Sequence, residues 1–273
     1  MSSVLLTRES AFQISCANTL FQAGIARTVV VEAGASMPGE WLTLRDLAWR
    51  LKVAWNSMRT APPRACLGRG IAHLANLLSH RRYYGHRAFH RRRLLHNGQV
   101  FDPGLTVIRV CDINAPDALE AVQRAKPKLV FVYGTRLIRR AMREHVPVPF
   151  VNLHWGWSPD YRAEGIVSAL AREGPRALGV TVHLLDDGID SGNILYQARP
   201  TVDPLDNFYS LGLKLTRLGT ELFLRVADAY TRQGRLMGVK QTLHPSQLFS
   251  GDYLRNHPEF YPLAWRNLKD GYG

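Results

Sequence analysis

The sequence is poor in cysteine and has no long apolar run. Its three cysteines, Cys16, Cys66 and Cys111, are widely spaced and form no CxxC pair. This odd, scattered set suits a reducing cytoplasm and argues against a disulfide framework or a structural zinc site. No stretch of about 18 apolar residues predicts a membrane-spanning helix, and the first residues lack the pattern of a secretory signal. We therefore expect a cytoplasmic protein without a structural metal.

Acidic residues are also scarce. The 273-residue chain has 22 Asp and Glu against 35 Lys and Arg, a formal net charge of +13. Residues 38–98 contain 12 of the basic residues but only two acidic ones, Glu40 and Asp46, which gives 12 − 2 = +10. This localised charge fits an anionic partner such as a nucleotide, a nucleic acid or a membrane surface. The alternative is that these residues form a basic surface in contact with solvent only. For the histidines of residues 38–98, we favour such a solvated surface over a metal site.

Short segments rich in Val, Ile and Leu alternate with helical patterns along the chain. They predict strands at 4–7, 28–33, 106–112, 128–134, 150–154, 179–186 and 193–198. Strands without strict alternation are typical of a sheet buried on both faces. The alternation predicts an α/β fold, a Rossmann-like and mostly parallel sheet with flanking helices.

Two regions do not follow this alternation of strands and helices. Residues 38–98 predict a basic helical insert within a domain of residues 1–235. A long helix is expected to begin at Pro204, with Asp203 as its N-cap, and to end near Gly234. Residues 236–273 are expected to form a C-terminal extension packed on the body.

Two polar residues interrupt the apolar strand FVNLH at residues 150–154. Asn152 and His154 are two positions apart, so their side chains point to the same face of the strand. In a parallel sheet, ligands bind beyond the carboxyl ends of the strands. The later Gly-flanked loop DDGIDSG brings carboxylates, among them Asp190, to follow another strand. An amide, an imidazole and a carboxylate favour acyl transfer, although a hydrogen-bonded structural pair remains the alternative for Asn152 and His154.

The sequence around these residues resembles the 10-formyltetrahydrofolate-dependent formyltransferases. This family includes glycinamide ribonucleotide transformylase, the catalytic domain of methionyl-tRNA formyltransferase and amino-sugar N-formyltransferases. The shared motifs are NxH, a Pro five residues after the His, an aromatic-Arg pair, GVTVH and DxGxDxG. They occur here as Asn152, His154, Pro159, Tyr161-Arg162, 179–183 and 186–192. Several ordered motifs make this resemblance specific.

The resemblance implies a catalytic triplet of Asn152, His154 and Asp190. An amine attacks the formyl carbon of the folate, and Asn152 and a protonated His154 would stabilise the negative oxygen that forms. Asp190 would keep His154 in its useful protonation state and help to relay the amine proton. Neither a metal nor a covalent enzyme intermediate is implied.

The resemblance also implies where the substrates bind. The folate donor, 10-formyltetrahydrofolate, would lie against two loops formed by Tyr133, Gly134, Thr135, Arg136, Leu137 and Ile138, and by Asp186, Asp187, Gly188 and Ile189. The acceptor would contact Trp155, Trp157, Tyr161 and Arg162. The sequence departs from the family pattern in the two tryptophans and in Ala163, which stands where a Gly often follows the Arg.

Chain length and insert charge favour an amino sugar as acceptor, nucleotide-linked or otherwise phosphorylated, with its phosphates on the insert. An amino acid or a specialised-metabolite amine is the next choice. A tRNA acceptor is not expected, because few residues follow Gly234, and DNA is not expected either. Peripheral membrane contact through the insert and a homo-oligomer are left open. The rival functions are a formyltetrahydrofolate hydrolase and a non-catalytic basic nucleic-acid-binding protein.

Overall fold

The computed structural model describes residues 2–33, 44–60, 63–95 and 99–271. Its strands are β1 (Ser3–Arg8), β2 (Ala26–Glu32), β3 (Thr106–Val110), β4 (Leu129–Tyr133), β5 (Phe150–His154), β6 (Arg162–Ala163), β7 (Val180–Leu184), β8 (Ile194–Ala198) and β9 (Leu248–Phe249). Its helices are α1 (Ala11–Gln22), α2 (Leu44–Arg59), α3 (Pro63–Leu78), α4 (His80–Tyr84), α5 (Arg87–Leu94), α6 (Pro116–Ala125), α7 (Arg140–His145), α8 (Gly165–Glu173), α9 (Phe208–Gln233), α10 (Gly251–Asn256) and α11 (Phe260–Asp270).

The central sheet has seven strands in the order β3-β2-β1-β4-β5-β7-β8. The first five of these run parallel, whereas β7 is antiparallel to β5 and to β8. The apolar side chains of one sheet face pack against α1 and α9, and those of the other face pack against α6 and α7. Burial on both faces explains why the strand sequences lack polar alternation. The predicted α/β fold is confirmed.

Helix α9 has an apolar face that matches the predicted stripe. Leu211, Leu215 and Val226 are fully buried, and each such side chain stabilises the fold by roughly 1.5–3 kcal/mol. The predicted start of the helix is wrong, because its N-cap is Asn207, which forms a capping box with Ser210. Asp203 instead lies in the preceding turn, where it pairs with Lys214 at 2.8 Å.

The basic segment between β2 and β3 forms helices α2 to α5, with residues 34–43, including Trp41, outside the described residues. Helix α5 lies against α9, and α2 packs against α3 and α10. The expectation that the insert histidines form a solvated face is wrong for His80 and His90, which are 3% and 4% exposed. Both sit where the insert meets the body of the domain, and burial lowers the pKa of His90.

The residues after α9 lie on the body of the domain. Helix α11 packs against α8, and Asn267 donates to the Leu170 and Ala171 carbonyls at 2.9 and 3.1 Å. These carbonyls lie near the C-terminal end of α8, where backbone acceptors lack helical partners. Strand β9 pairs with β6 and so joins this region to the segment that follows β5. Among the described residues, no helix is both long and apolar enough to cross a membrane.

Candidate active site

Strand β5 presents Asn152 and His154 on one face of the sheet, next to the antiparallel strand β7. Asn152 lies opposite His183, and His154 lies opposite Thr181. His154 is buried, with 6% of its surface exposed, and Asn152 is half-buried. The two polar residues are therefore largely covered by the surrounding protein.

The loop after β7 brings Asp190 to both of them. Asp190 Oδ1 accepts from Asn152 Nδ2 at 3.1 Å, and Asp190 Oδ2 lies 3.3 Å from His154 Nδ1. The backbone N–H of Ala163 donates to the same Oδ2 at 3.0 Å. The structure thus brings together the amide, imidazole and carboxylate that the sequence predicts.

Two residues at this contact have a left-handed backbone. Asp190 has φ 47° and Ala163 has φ 69°, a region that non-Gly residues rarely adopt. Its cost is about 1–2 kcal/mol for a residue with a Cβ. Gln241 Nε2 holds the acidic loop by donating to the Asp190 and Gly192 carbonyls at 3.1 and 2.6 Å. Strained residues held in this way cluster at functional sites.

His183 joins the three residues as a fourth member. Its Nε2 lies 3.1 Å from Asn152 Nδ2 and 3.3 Å from Asp190 Oδ1, while its Nδ1 donates to the Leu184 carbonyl at 2.8 Å. The side chain is 1% exposed. Asp190 is therefore flanked by one imidazole on each carboxylate oxygen. We call Asn152, His154, His183 and Asp190 the polar cluster.

Both ring nitrogens of His154 face acceptors. Nε2 lies 2.7 Å from the carbonyl oxygen of Tyr161, which can only accept, so Nε2 carries a proton. Nδ1 faces the Asp190 carboxylate at 3.3 Å, longer than the 2.7–2.9 Å typical of a charge-assisted bond. The Tyr161 contact thus fixes the ring, and the looser Asp190 contact is the one that a substrate atom could replace.

The environment of Asp190 favours its ionised form. Burial alone would raise the pKa of Asp190, but the positive field of His154, the His183 ring and the Ala163 N–H outweigh it, and the pKa lies well below the usual carboxyl range. Asp190 therefore remains a carboxylate at neutral pH. Such a group can hold a neighbouring imidazole in a fixed orientation and stabilise its protonated form.

Gly156 permits the close contact between His154 and Tyr161. A Cβ at this position would overlap both His154 Nε2 and the Tyr161 carbonyl oxygen. We expect Gly156→Ala to displace the imidazole and to lower kcat for the reaction proposed below by about 10²-fold, since small misplacements can have that effect. Steady-state kinetics would measure it.

Gly68→Ala is the matched control for this prediction, because nothing lies within 4 Å of a Cβ there. It should leave kcat unchanged. A Gly156→Ala enzyme that is folded and has normal kcat would contradict the positioning role of the Tyr161 contact.

The four predicted acceptor-contacting residues make the following contacts. Trp155 packs against Phe12, with ring centroids 5.1 Å apart, and Trp157 lies beneath the Arg199 guanidinium at 3.8 Å. The Tyr161 hydroxyl donates to Glu173. Arg162 donates to the Ile189 and His244 carbonyls at 3.3 and 3.2 Å, and so supports the acidic loop that contains Asp190.

The two predicted folate loops are linked through one buried apolar cluster. In the first loop, Arg136 pairs with Glu32 and Asp112, whereas Leu137 is 61% exposed and Ile138 is buried. In the second, Asp186 accepts from the Gly188 N–H at 3.1 Å, and Asp187 forms an ion pair with Arg143 of α7. Leu185, just before the second loop, packs against the apolar cluster that contains Ile138 and Met142.

Gly134 lets the Gln13 side chain approach the backbone where the first loop begins. It has φ 72°, and a Cβ there would overlap the Gln13 side chain. Tyr133, just before it, is buried and bonds to Thr216 at 2.6 Å, while the Thr135 hydroxyl bonds to the Arg136 carbonyl. In the described part of the chain, no group of three or more His, Cys, Asp or Glu side chains could hold a metal ion.

Sequence reasoning missed His183 and Glu164. In the sequence, His183 lies within the apolar stretch 179–186 and was assigned no role. Its position opposite Asn152 follows from the antiparallel pairing of β5 and β7. Glu164 follows Ala163 and lines a cavity described below. No spacing signal links it to the polar cluster, because the connection depends on the turn after β5.

Comparisons with known sequences point to one family. Residues 100–227 match the family model described as formyl transferase. Methionyl-tRNA formyltransferase from Chloroflexus aggregans is 34% identical over 131 residues, covering 47% of this chain and 42% of the relative. The Thermus thermophilus enzyme of the same name is 32% identical over 127 residues, covering 46% and 41%. The chain thus matches less than half the length of these relatives.

Solved structures support the same fold. Glycinamide ribonucleotide transformylase 1 from Symbiobacterium toebii superposes with a TM-score of 0.54 and 16% identity, covering 89% of this chain and 94% of that one. A 4-N formyltransferase from Francisella tularensis gives a TM-score of 0.54 and 14% identity, covering 96% and 87%. At these identities the likeness concerns the fold.

Proposed function

We propose that the protein, whose residues 100–227 match the formyl transferase family, is an enzyme that moves a formyl group from 10-formyltetrahydrofolate to a primary amine. The observation that carries the proposal is the contact of one carboxylate, Asp190, with both Asn152 and His154. These contacts lie within the matched residues. The loops containing Gly134 and Asp186 would hold the folate, which supplies the formyl carbon when bound.

Each side chain of the polar cluster would have its own role in the reaction. Asn152 and His154 carry N–H donors that face Asp190 in the structure, and the same donors would stabilise negative charge on the formyl oxygen. A preorganised donor of this kind contributes about 10²–10³ in rate. Asp190 would balance the charge of His154 and help to relay the proton that the attacking amine loses, through water, to the folate nitrogen whose bond to the formyl carbon breaks. His183 would hold Asp190 from its other side.

The proposed acceptor is a small-molecule amine, with an amino sugar as the finer prediction. Exposed Arg92 and Arg93 on α5 support a phosphorylated acceptor, although Arg93 already lies 3.8 Å from Asp203. The proposed domain remains residues 1–235 with the insert 38–98, and the packing of α11 on α8 supports an extension 236–273 that belongs to the same body.

A direct assay tests the proposal. Purified protein is incubated with 10-formyltetrahydrofolate and with amino sugars, nucleotide-linked amino sugars, amino acids, hydrophobic amines or methionyl-tRNA, and products are identified by mass spectrometry. We expect a formamide from at least one amine and dependence on His154. A failure to formylate every amine would count against the transferase.

The assay also separates the rival functions. Formate release at full rate without an amine would indicate a hydrolase. Salt-dependent binding to RNA or DNA that is unaffected by His154→Ala, in a protein without transferase activity, would indicate a nucleic-acid-binding protein.

A further inference from the structure

A cavity of about 440 Å³ lies between the insert and the C-terminal region. We call it the insert cavity. Helices α2, α3 and α4 form one side, and α10 with the residues that follow it forms the other. Most of its lining is apolar, including Leu51, Val53, Met58, Leu77, Tyr83 and Leu254. Its volume lies within the range of about 300–1,000 Å³ of small-molecule sites.

Glu164 lies at the insert cavity and is the chain neighbour of a residue that contacts the polar cluster. It lines the cavity and directly follows Ala163, whose N–H donates to Asp190 at 3.0 Å. Its carboxylate has solvent contact, although protein surrounds it closely. Burial raises the pKa of Glu164, the Arg255 charge opposes this rise, and the negative charge of Asp190 adds to it.

Two polar atoms in the cavity wall lack a partner. His73 Nε2 and Asn76 Oδ1 are buried and make no hydrogen bond among the described residues. The Asn76 amide nitrogen is already used, since it donates to the Pro258 carbonyl at 2.8 Å. A buried polar atom without a partner costs about 1–3 kcal/mol. A ligand with a hydroxyl or amide group would satisfy these two atoms.

The apolar lining continues to the protein surface. Leu51 and Leu74 line the cavity and are each 57% exposed. On α3, Leu74 belongs to an exposed stripe with Leu67, Ile71 and Leu78, which are 60–76% exposed. Side chains at this spacing lie on one helix face. An apolar ligand could therefore extend from the cavity across its mouth.

From this geometry we infer that the insert cavity is the acceptor site and takes a primary amine attached to an apolar body. The amine end lies at Glu164, beside the polar cluster, and the apolar body lies among the side chains of α2, α3 and α10. The assignment as acceptor site rests on the proposed transferase, whereas binding of the amine does not. Among the described lining residues, Arg255 is the sole Arg or Lys, and Arg92 and Arg93 do not line the cavity. The inferred acceptor therefore differs from the phosphorylated amino sugar that the charge of the insert favours.

Binding of n-octylamine in the absence of folate tests the site. Isothermal titration calorimetry on the full chain should detect octylamine, and Ala54→Trp, which fills the cavity, should weaken its binding about 10-fold or more. Ala48→Trp is the matched control, because Ala48 is exposed on the same helix and does not line the cavity. Circular dichroism checks the fold of both variants. No octylamine binding, or equal binding by both folded variants, would overturn the inference.

Glu164→Gln tests the position of the amine without changing side-chain size. Loss of the carboxylate should raise Kd for octylamine roughly 10-fold or more, because the ammonium loses its ion-pair partner. The Kd for 1-octanol should stay within about 2-fold. Glu221→Gln on exposed α9 surface is the control. Equal effects on amine and alcohol would contradict the assignment of Glu164.

Measurements of kcat/KM distinguish a failure of this inference from a failure of the proposed transferase. With 10-formyltetrahydrofolate present, Ala54→Trp should lower kcat/KM for octylamine about 10-fold or more, while Ala48→Trp should not. If a folded Ala54→Trp enzyme formylates octylamine normally, the acceptor site lies elsewhere. If octylamine binds with the expected variant effects but no amine is formylated, the proposed transferase fails and the amine-binding cavity stands.

Discussion

His154→Ala is expected to lower kcat for formyl transfer by about 10²–10³-fold, the effect of removing a preorganised donor from a developing oxyanion. The ring supplies an N–H donor, and the Tyr161 carbonyl holds the ring at 2.7 Å. Alanine supplies no donor. Steady-state rates with a formyl-accepting amine would measure the loss. His145→Ala, at an exposed histidine of α7, is the control and should retain full activity.

The same variant should still fold. Asp190 keeps three contacts when His154 is removed, from Asn152, His183 and the Ala163 N–H. We expect the free energy of unfolding to fall by about 1–3 kcal/mol, as for loss of a hydrogen bond to a buried charged group. Urea unfolding would measure this change. A stable His154→Ala protein with near-normal kcat would refute the catalytic role of the imidazole.

The positions of the main strands along the chain were predictable because the apolar pattern that marks a strand is local in the sequence. A strand buried on both faces must be apolar throughout, so the polar pair Asn152 and His154 was conspicuous. Their common face follows from the two-residue period of a strand. The contact of Asp190 with Asn152 and His154 was predicted through the family resemblance. Residue spacing alone does not show how a Gly-containing loop returns to the sheet.

The remaining features depend on tertiary contacts that leave little trace in the sequence. His183 faces Asn152 because β7 runs antiparallel to β5 in one particular register. His80 and His90 looked like members of a solvated basic run, yet the packing of the insert against the body buries them. Glu164 reaches a cavity whose other wall comes from helices about 90 residues earlier in the chain. Pairings over such distances are set by packing and not by local periodicity.

Asp190→Asn should lower kcat by about 10²-fold or more while keeping the shape of the side chain. An amide cannot balance the charge of His154 or take up a proton, and these tasks are worth about 10²–10⁴ in general acid–base catalysis. One of its two polar atoms would also face the wrong kind of partner, since Asn152, His154 and the Ala163 N–H all donate toward the carboxylate. Rates across pH 6–9 would measure the loss, with Asp228→Asn on the exposed face of α9 as control.

The stability of this variant should depend on pH in a defined direction. The pKa of Asp190 is depressed in the folded protein: burial opposes ionisation, but the His154 and His183 rings outweigh it. A group with a lowered folded pKa contributes its stability above its unfolded pKa of about 3.9 and loses it as pH falls toward the folded value. The wild type should therefore exceed Asp190→Asn by roughly 2–3 kcal/mol at pH 7, and the difference should shrink below about pH 4. Urea unfolding at pH 7, 5 and 3.5 would follow it. A gap that stayed constant to pH 3 or widened on acidification would mean that the carboxylate is not held ionised by the two imidazoles, and the charge balance on which the proposed chemistry depends would be lost with it.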